Sequence, residues 1–268
     1  MQLLAIKIGN TNIAFALYQE QEIVRTWRVE TRADKTTDEY AGQLLELFEF
    51  QGAGVIQISN VAIVSVVPAL TGVFVELARR YLATEAFVVA PGITTGIKIQ
   101  YEDPRALGAD RLVAIIAARA RYGAPALVID FGTATTFNAI DAAGDFIGGA
   151  IAPGLNIASQ ALHEFTAKLP RVDISPPPAA LATNTRDALR SGLFIGYTGL
   201  VEVLVARLRA DMQEPEARVI ATGGLASLIA PHCPSIEIVD SQLAFEGLRI
   251  LFEMNHTANR SQPTTDHR

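Results

Sequence analysis

Two short loops of this chain combine glycine with small amide and hydroxyl residues, which are types that bind phosphate oxygens. The first is Gly9-Asn10-Thr11-Asn12, and a related segment, Gly132-Thr133-Ala134-Thr135, follows 123 positions later. Glycine lets the backbone approach a ligand closely, and backbone N–H, amide and hydroxyl groups all donate hydrogen bonds to an anion. Either loop alone is also typical of an ordinary hairpin turn. Because the pattern occurs twice, we expect two similar domains that bind a nucleotide.

The apolar segments that lead into the two loops differ at one charged position. Both predict a buried strand, yet the first carries Lys7 where the second carries Asp130. A carboxylate can hold a cation, whereas an ammonium group can pair with a phosphate directly. The two copies therefore predict opposite charges at equivalent places.

A third polar motif, Gly108-Ala109-Asp110-Arg111, precedes an alanine-rich segment. One interpretation of Asp110 is the start of a helix, where an acid in the first turn is stabilised by the helix dipole. The functional interpretation makes Asp110 a general base beside a substrate hydroxyl and Arg111 the group that binds an anion. Taken alone, the motif favours the helix start.

Two glycine-rich segments keep both a structural and a functional interpretation. Gly148–Gly154 follows a predicted strand and is typical of close strand packing or of a pocket wall. Thr222–Leu225 lies between a predicted strand and a predicted helix, as a simple turn or as a nucleotide contact through backbone N–H groups. The four histidines and the single cysteine show no metal-site spacing.

Length and composition limit the function classes. The 268 residues, half of them hydrophobic, can form one or two domains with a large core. The net charge of −6 argues against a nucleic-acid binder. We expect no membrane segment or signal peptide, because no apolar run approaches the ~18–20 residues of a membrane span and a predicted strand comes first. The lone Cys233 excludes an internal disulfide and fits a reducing cytoplasm.

The elements that position the first loop follow a recognisable order. Strands are predicted at 2–8, 13–18 and 22–29, a helix at 36–50, a strand at 61–67, a helix at 71–82 and a strand at 86–89. This β-β-β-α-β-α-β order is typical of a ribonuclease H-like domain.

The second half repeats part of this order from residue 126. Strands are predicted at 146–151, 219–221 and 237–239, and helices at 157–165 and 185–212. We place the first domain at 1–118, the second at 119–255 and a disordered tail at 256–268.

Taken together, the motifs resemble those of the type III pantothenate kinase family. The likeness extends over about residues 2–255, and it depends on the order and spacing of weak motifs. Besides the first loop these are Tyr101–Pro104, 108–111, 130–136, 148–154, 167–170, Asn184-Thr185 and 222–225. The resemblance implies the acetate and sugar kinase/Hsp70/actin superfamily fold. That fold is α/β, with two ribonuclease H-like (actin-like ATPase) domains and a nucleotide cleft between them.

The resemblance also implies ATP-dependent phosphorylation of pantothenate to 4'-phosphopantothenate, the first step of coenzyme A biosynthesis. It implies a homodimer, Mg²⁺ and a monovalent cation such as K⁺ or NH₄⁺. By position, Asp110 would be the catalytic base and Asp130 would bind the monovalent cation. Pantothenate would contact Tyr101, Gly108, Ala109, Arg111 and Thr185. ATP would contact Lys7, Ile8, Gly9, Asn10, Thr11, Asn12, Ile13, Ala14 and Thr133.

The chain departs from the family pattern at two positions beside the first loop. Lys7 stands where the family has an aspartate that helps to hold Mg²⁺, and Ala14 stands where the family often has a lysine. Mg²⁺ requires oxygen ligands, so Lys7 predicts an altered phosphate and metal site. We expect the side chains at 7 and 14 to project from different places, which would prevent one from replacing the other.

Two functions of different classes fit these residues. One is an active pantothenate kinase, which is favoured because Asp110, Tyr101, Arg111 and Thr185 match the family pattern. The other is a catalytically weakened or inactive homologue that binds pantothenate or nucleotide and acts as a regulator. Lys7 favours this alternative, and the family's relation to Bvg accessory factor gives it a precedent. A sugar kinase of the same superfamily would rest on the fold alone.

Overall fold

The structure, a computed structural model, describes residues 2–50 and 58–260, which form two compact units. The first unit contains the described residues up to Gly96, those from Arg105 to Ala117 and those from Ala244 onwards. The second contains Ile97–Pro104 and Ala118–Leu243. The domain division between residues 118 and 119 stays a prediction, because compactness alone does not show which segments fold together.

The first unit is built on a five-stranded mixed sheet with the strand order β3-β2-β1-β4-β5. β1 pairs antiparallel with β2 and parallel with β4. The predicted β-β-β-α-β-α-β order of elements is confirmed. The elements are β1 (Gln2–Ile8), β2 (Asn12–Gln19), β3 (Glu22–Glu30), α1 (Thr37–Phe50), β4 (Asn60–Ser65), α2 (Pro68–Tyr81) and β5 (Ala86–Val88).

The helix α3 (Ala109–Tyr122) follows, and the second unit then repeats the sheet. Its strand order is β10-β9-β6-β7-β8, which is the order of the first sheet read from the other edge. The internal repeat seen in the sequence is therefore a repeat of topology. The elements are β6 (Ala126–Phe131), β7 (Ala134–Ile140), β8 (Phe146–Pro153), α4 (Leu155–Glu164), α5 (Thr185–Met212), β9 (Arg218–Thr222), α6 (Ala226–Ile229) and β10 (Ile238–Val239).

The central strand of each sheet is buried on both faces, as strands with parallel neighbours usually are. Leu4, Ile6 and Ile8 of β1 enter one hydrophobic core in the first unit. Their counterparts 123 positions later enter the equivalent core of the second unit: Leu127, Ile129 and Phe131. Both candidate phosphate loops thus begin at the end of a firmly packed strand.

The last helix, α7 (Leu243–Arg260), is absent from the predicted elements. Its Gly247 lies so close to α3 that a Cβ there would be 1.7 Å from the Val113 carbonyl oxygen. The helix continues past His256, whose ring stacks on Phe252 at 4.5 Å between ring centres. The prediction of a disordered tail from residue 256 is therefore wrong for 256–260, and the rest of that tail lies outside the described residues.

Candidate functional site

The first candidate phosphate loop, Gly9–Asn12, connects β1 to β2 in a tight turn. The Gly9 N–H donates to the Asn12 carbonyl oxygen at 3.0 Å, so this amide stabilises the turn itself. Asn10, Thr11 and Asn12 are exposed. The loop therefore offers an anion mainly the amide and hydroxyl groups of these three residues.

Thr31, which directly follows β3, holds the same loop. Its hydroxyl donates to the Gly9 carbonyl oxygen at 2.6 Å, and its N–H donates to the Thr11 carbonyl oxygen at 3.0 Å. Thr31 is missing from the predicted site residues. It lies 22 residues from Gly9 and belongs to none of the recognised motifs, so no sequence signal marks it.

Lys7 and Ala14 are direct partners in the antiparallel ladder of β1 and β2, in which Ile8 pairs with Ile13. Directly opposite residues point to the same face of a sheet, with Cβ atoms ~4.5–5.5 Å apart. The expectation that these two side chains project from different places is therefore wrong, because the turn sets a register that pairs them. A lysine at either position brings its ammonium group to the same part of the sheet.

Lys7 and Asp130 occupy equivalent positions in the two sheets. Each is half-buried between two buried neighbours and lies next to the last residue of its strand. Each also lies between an antiparallel and a parallel neighbour, namely Ala14 and Val64 for Lys7, and Thr136 and Thr222 for Asp130. The repeat therefore places a cation in one unit where it places an anion in the other.

Two glycines from other segments let the backbone pack against the second loop. A Cβ on Gly154 would lie 2.2 Å from the Thr133 carbonyl oxygen and 2.7 Å from that of Gly132. Gly223 has a φ of +93°, and a Cβ there would lie 2.3 Å from Oδ1 of Asp130. Only glycine fits such positions. Asp130 and Thr133, both predicted site residues, therefore belong to one tightly packed cluster of the second unit.

Both glycine-rich segments contain residues that allow close backbone packing. A Cβ on Gly149 would lie 1.8 Å from the Phe137 carbonyl oxygen on the neighbouring strand, so Gly149 serves close strand packing. Gly154, in the same segment, instead contacts the second loop. After Gly223 the helix α6 has only four residues, so its N-terminus supplies little dipole for a nucleotide.

Asp110 lies in the first turn of α3, and its Oδ1 accepts a hydrogen bond from the Arg111 N–H at 2.9 Å. Gly108 makes room for this carboxylate, because a Cβ there would lie 2.6 Å from the same oxygen. Asp110 is half-buried, and Arg111 is 7% exposed. The geometry satisfies the helix-start interpretation, and it also holds the carboxylate in one place, as a general base requires.

The other predicted acceptor residues lie in the second unit. Tyr101 is half-buried against Phe146, with 5.0 Å between ring centres, at the start of β8. Thr185 is the exposed first residue of α5. Asn184 caps this helix by accepting from the Asp187 N–H at 3.0 Å and donating to the Asp187 carboxylate at 2.7 Å. The cap fixes the backbone that presents the Thr185 hydroxyl.

The predicted site residues belong to different units. Lys7–Ala14 and Gly108–Arg111 lie in the first unit. Tyr101, Asp130 and Thr133 lie in the second, together with Thr185. Of these, Asp130 and Thr133 share the glycine-lined cluster, whereas Tyr101 packs on β8 and Thr185 begins α5.

The described residues offer few protein ligands for a cation. In residues 2–50 and 58–260, no three His, Cys, Asp or Glu side chains gather into a group that could hold a metal ion. Mg²⁺ in nucleotide enzymes takes one or two carboxylates and completes its shell with phosphate oxygens and water, so such a group is not required. Asp130, packed against the backbone of Gly132 and Gly223, fits a monovalent cation that prefers oxygen ligands.

Comparisons with known sequences identify one family. A profile of type III pantothenate kinase matches residues 3–207 of this chain. The type III pantothenate kinase of Geobacter sulfurreducens is 49% identical over 253 residues, which cover 94% of this chain and 99% of the relative. That of Moorella thermoacetica is 46% identical over 253 residues, which again cover 94% of this chain and 99% of the relative.

Comparisons with solved structures concern the fold alone, because the identities are low. A conserved Baf family protein of Campylobacter jejuni aligns with a TM-score of 0.60 at 19% identity, covering 95% of this chain and 99% of that chain. MreB5 of Spiroplasma citri bound to ADP aligns with a TM-score of 0.53 at 12% identity, covering 97% and 99%. These likenesses confirm the predicted α/β, actin-like fold class of two domains.

Proposed function

This chain belongs to the type III pantothenate kinase family, and we propose that Asp110 is the catalytic base of its reaction. The protein is a phosphotransferase that uses ATP to phosphorylate pantothenate on the route to coenzyme A. The Asp110 carboxylate accepts the proton of the primary hydroxyl while the hydroxyl oxygen attacks the γ-phosphorus. The bond from the γ-phosphorus to its bridging oxygen breaks, and ADP leaves. The observation that carries this proposal is the fixed carboxylate between Gly108 and the Arg111 N–H.

Pantothenate binding requires a partner for its carboxylate and donors for its amide and hydroxyl groups. The buried Arg111 guanidinium binds the carboxylate, because a planar guanidinium can donate two parallel hydrogen bonds and its burial limits competition from water. The hydroxyls of Tyr101 and Thr185 bind polar groups of the substrate. The backbone of Gly108 and Ala109 borders the reacting hydroxyl beside Asp110.

ATP binding uses the segment Lys7–Ala14, with Thr133 contributing from the second loop. The Lys7 ammonium pairs with phosphate oxygens, in place of the basic group that relatives of the family often carry at position 14. The direct pairing of Lys7 with Ala14 supports this exchange, since both positions point to the same face of the sheet. Ile8 and Ile13 anchor the loop in the core beneath it.

The reaction uses a divalent cation and a monovalent cation. Bound Mg²⁺ would neutralise charge on the phosphate oxygens during transfer. Lys7 cannot be one of its ligands, so the ion would depend on phosphate oxygens and water. Asp130 would hold K⁺ or NH₄⁺ in the glycine-lined cluster.

The active protein is a homodimer that acts in the cytoplasm. By length and composition α5 could cross a membrane, and 22% of its most apolar stretch is buried. It packs against α4, and both helices expose apolar side chains, among them Ile157 on α4 and Ile195 and Val203 on α5. A second copy covers this surface, because exposed apolar patches of this kind mark contacts with other proteins.

The function is tested by offering purified protein ATP, Mg²⁺ and K⁺ with pantothenate, and separately with a panel of sugars and small hydroxy acids. We expect ADP and 4'-phosphopantothenate to form in equal amounts with pantothenate alone. Phosphorylation of a sugar in preference to pantothenate would contradict the proposal. Binding of pantothenate without turnover would favour the regulatory alternative.

A further inference from the structure

The hydroxyl of Thr31 and its N–H act on two carbonyl groups of the first loop. The hydroxyl donates to the Gly9 carbonyl oxygen and the N–H to the Thr11 carbonyl oxygen. The hydrogen bond from the Thr31 N–H continues the β2–β3 ladder beyond the Asn12–Glu30 pair, so it follows from the pairing of the strands. The hydroxyl bond is different, because it depends on the side chain at this one position.

A carbonyl oxygen repels a phosphate, because the oxygen carries a partial negative charge and the phosphate is an anion. A loop that binds an anion must turn its N–H groups towards the ligand and its carbonyl groups elsewhere. Thr31 binds two of the carbonyl groups of Gly9–Asn12, and the Asn12 carbonyl accepts from the Gly9 N–H. A ligand can then meet the exposed amide and hydroxyl side chains of Asn10, Thr11 and Asn12 rather than these three carbonyl groups.

Thr31 is itself held by the residue that follows it. The hydroxyl of Tyr40 on α1 accepts from the Arg32 N–H at 2.9 Å and donates to the Arg32 carbonyl oxygen at 2.9 Å. Tyr40 is 1% exposed, and its ring contacts Phe74 with 4.9 Å between ring centres. Burial raises the pKa of Tyr40, so the phenol stays neutral and can donate and accept at once.

We propose that Thr31 and Tyr40 are positioning residues that hold Gly9–Asn12 in the conformation that binds nucleotide phosphates. The inference rests on the proposed function only in taking this loop as the phosphate site. The chain of contacts runs from the core residue Tyr40 through Arg32 and Thr31 to the loop, so the loop is ordered before ATP arrives. A loop ordered in advance does not pay its ordering entropy when it binds.

Four substitutions separate this role from general stability. Thr31→Val keeps the side-chain shape and the N–H bond but removes the hydroxyl, and Thr31→Ser returns the hydroxyl. Tyr40→Phe removes both bonds to Arg32 and keeps the ring. Thr37→Val is the matched control, because its hydroxyl also donates to a backbone carbonyl of the first unit, that of Val73 at 3.4 Å, away from the loop.

The direct measurement is the dissociation constant of a non-hydrolysable ATP analogue by calorimetry, with KM values and melting temperatures beside it. One lost hydrogen bond predicts a dissociation constant and an ATP KM about three- to tenfold higher in Thr31→Val, with the pantothenate KM unchanged. Tyr40→Phe should shift the same values in the same direction. Thr31→Ser should bind within about twofold of the parent, and Thr37→Val should bind as the parent does.

Parental affinity in Thr31→Val would overturn the inference, and so would a Thr31→Ser variant that binds as weakly as Thr31→Val. If Thr37→Val lost as much affinity as Thr31→Val, the effect would come from general destabilisation, and this result would also overturn the inference. Binding does not require turnover, so the test is decided even if pantothenate proves not to be the acceptor. A parent that binds no nucleotide would overturn the inference, whereas one that binds ATP and phosphorylates no pantothenate would overturn the proposed function alone.

Discussion

Lys7 and Ala14 stand directly opposite each other on β1 and β2, at the base of the first loop. Their Cβ atoms belong to one face of the sheet, so a long side chain on either residue reaches the same space. This pairing explains how the chain can lack a lysine at position 14 and still bring a basic group to the loop. With Lys7 in this place, the first unit has no carboxylate at the position equivalent to Asp130.

The pairing predicts how metal and ATP dependence change when the charges are exchanged. Lys7→Asp should raise turnover at saturating ATP and make it depend more steeply on Mg²⁺, because a carboxylate can help to hold the ion. The same change should raise the ATP KM by about tenfold, because a charge-assisted hydrogen bond to phosphate is lost. Initial rates over a matrix of ATP and Mg²⁺ concentrations measure both effects.

Adding Ala14→Lys to Lys7→Asp should lower the ATP KM again while the Mg²⁺ dependence stays steep. The matched control is Ala14→Lys alone, which places two like charges side by side and should bring little gain. Equal ATP KM values in Lys7→Asp and in the double variant would show that position 14 does not reach the nucleotide.

The adjacent glycines Gly223 and Gly224 should respond differently to alanine. Gly223 has a φ of +93° and its Cβ would collide with the Asp130 carboxylate, whereas a Cβ on Gly224 meets no atom within 4 Å. The left-handed conformation alone costs alanine about 1–2 kcal/mol. We expect Gly223→Ala to lower the melting temperature and weaken activation by K⁺, with Gly224→Ala close to the parent. Unchanged K⁺ activation in Gly223→Ala would argue against a cation site at Asp130.

The apolar surface of α5 should prove to be a dimer contact. Ile195 on α5 and Leu45 on α1 are both 44% exposed, which makes them a matched pair for the introduction of a charge. Ile195→Asp should shift the mass in analytical ultracentrifugation from dimer to monomer, because it places a charge in a desolvated contact. Leu45→Asp should remain dimeric. If Ile195→Asp remained dimeric, the dimer contact would lie elsewhere on the protein.

The Cys233 thiol should be unreactive while the protein is folded. Burial, and to a lesser degree the charge of Glu202, raises its pKa to about 12, and only the thiolate is a good nucleophile. Alkylation by iodoacetamide at pH 8 should therefore be slow until guanidinium unfolds the chain.

The same shift predicts a pH dependence of stability. The folded pKa lies above the ordinary value of 9.0, so the unfolded chain loses this proton first. Stability should then fall as the pH rises from about 9 towards about 12, and Cys233→Ala should lessen that fall. The free energy of unfolding, measured by denaturant titration at several pH values, tests this. A fall of the same size in Cys233→Ala would assign it to other groups.

Much of the fold can be predicted from the sequence, because the internal repeat marks the same strands in both halves of the chain. The β-branched and apolar strands at 2–8 and 126–131 predict two equivalent central strands, and the helix predicted at 185–212 has the observed bounds. α7 is absent from the predicted elements, although Leu248, Leu251 and Phe252 have the spacing of an apolar helix face. Only its last five residues, 256–260, belong to the polar segment that predicts a tail.

The candidate site was predictable where a motif marks it and not where distant residues support it. Asp110 and the two loops stand in recognisable motifs, and the Lys7–Ala14 pairing follows once the hairpin register is known. Thr31, Tyr40 and Gly154 reach the loops through contacts between segments far apart in the chain. Such contacts depend on packing, which a single sequence does not display.

Asp110→Asn distinguishes a catalytic base at this position from an acid that only starts the helix. Its control is Asp38→Asn, which neutralises a first-turn acid of α1 in the same unit. We predict that Asp110→Asn lowers kcat by about 10²–10⁴ while the affinity for an ATP analogue and the melting temperature stay near the parent, and that Asp38→Asn keeps its kcat. An Asp110→Asn variant that phosphorylates pantothenate at nearly the parental rate would show that Asp110 is not the catalytic base.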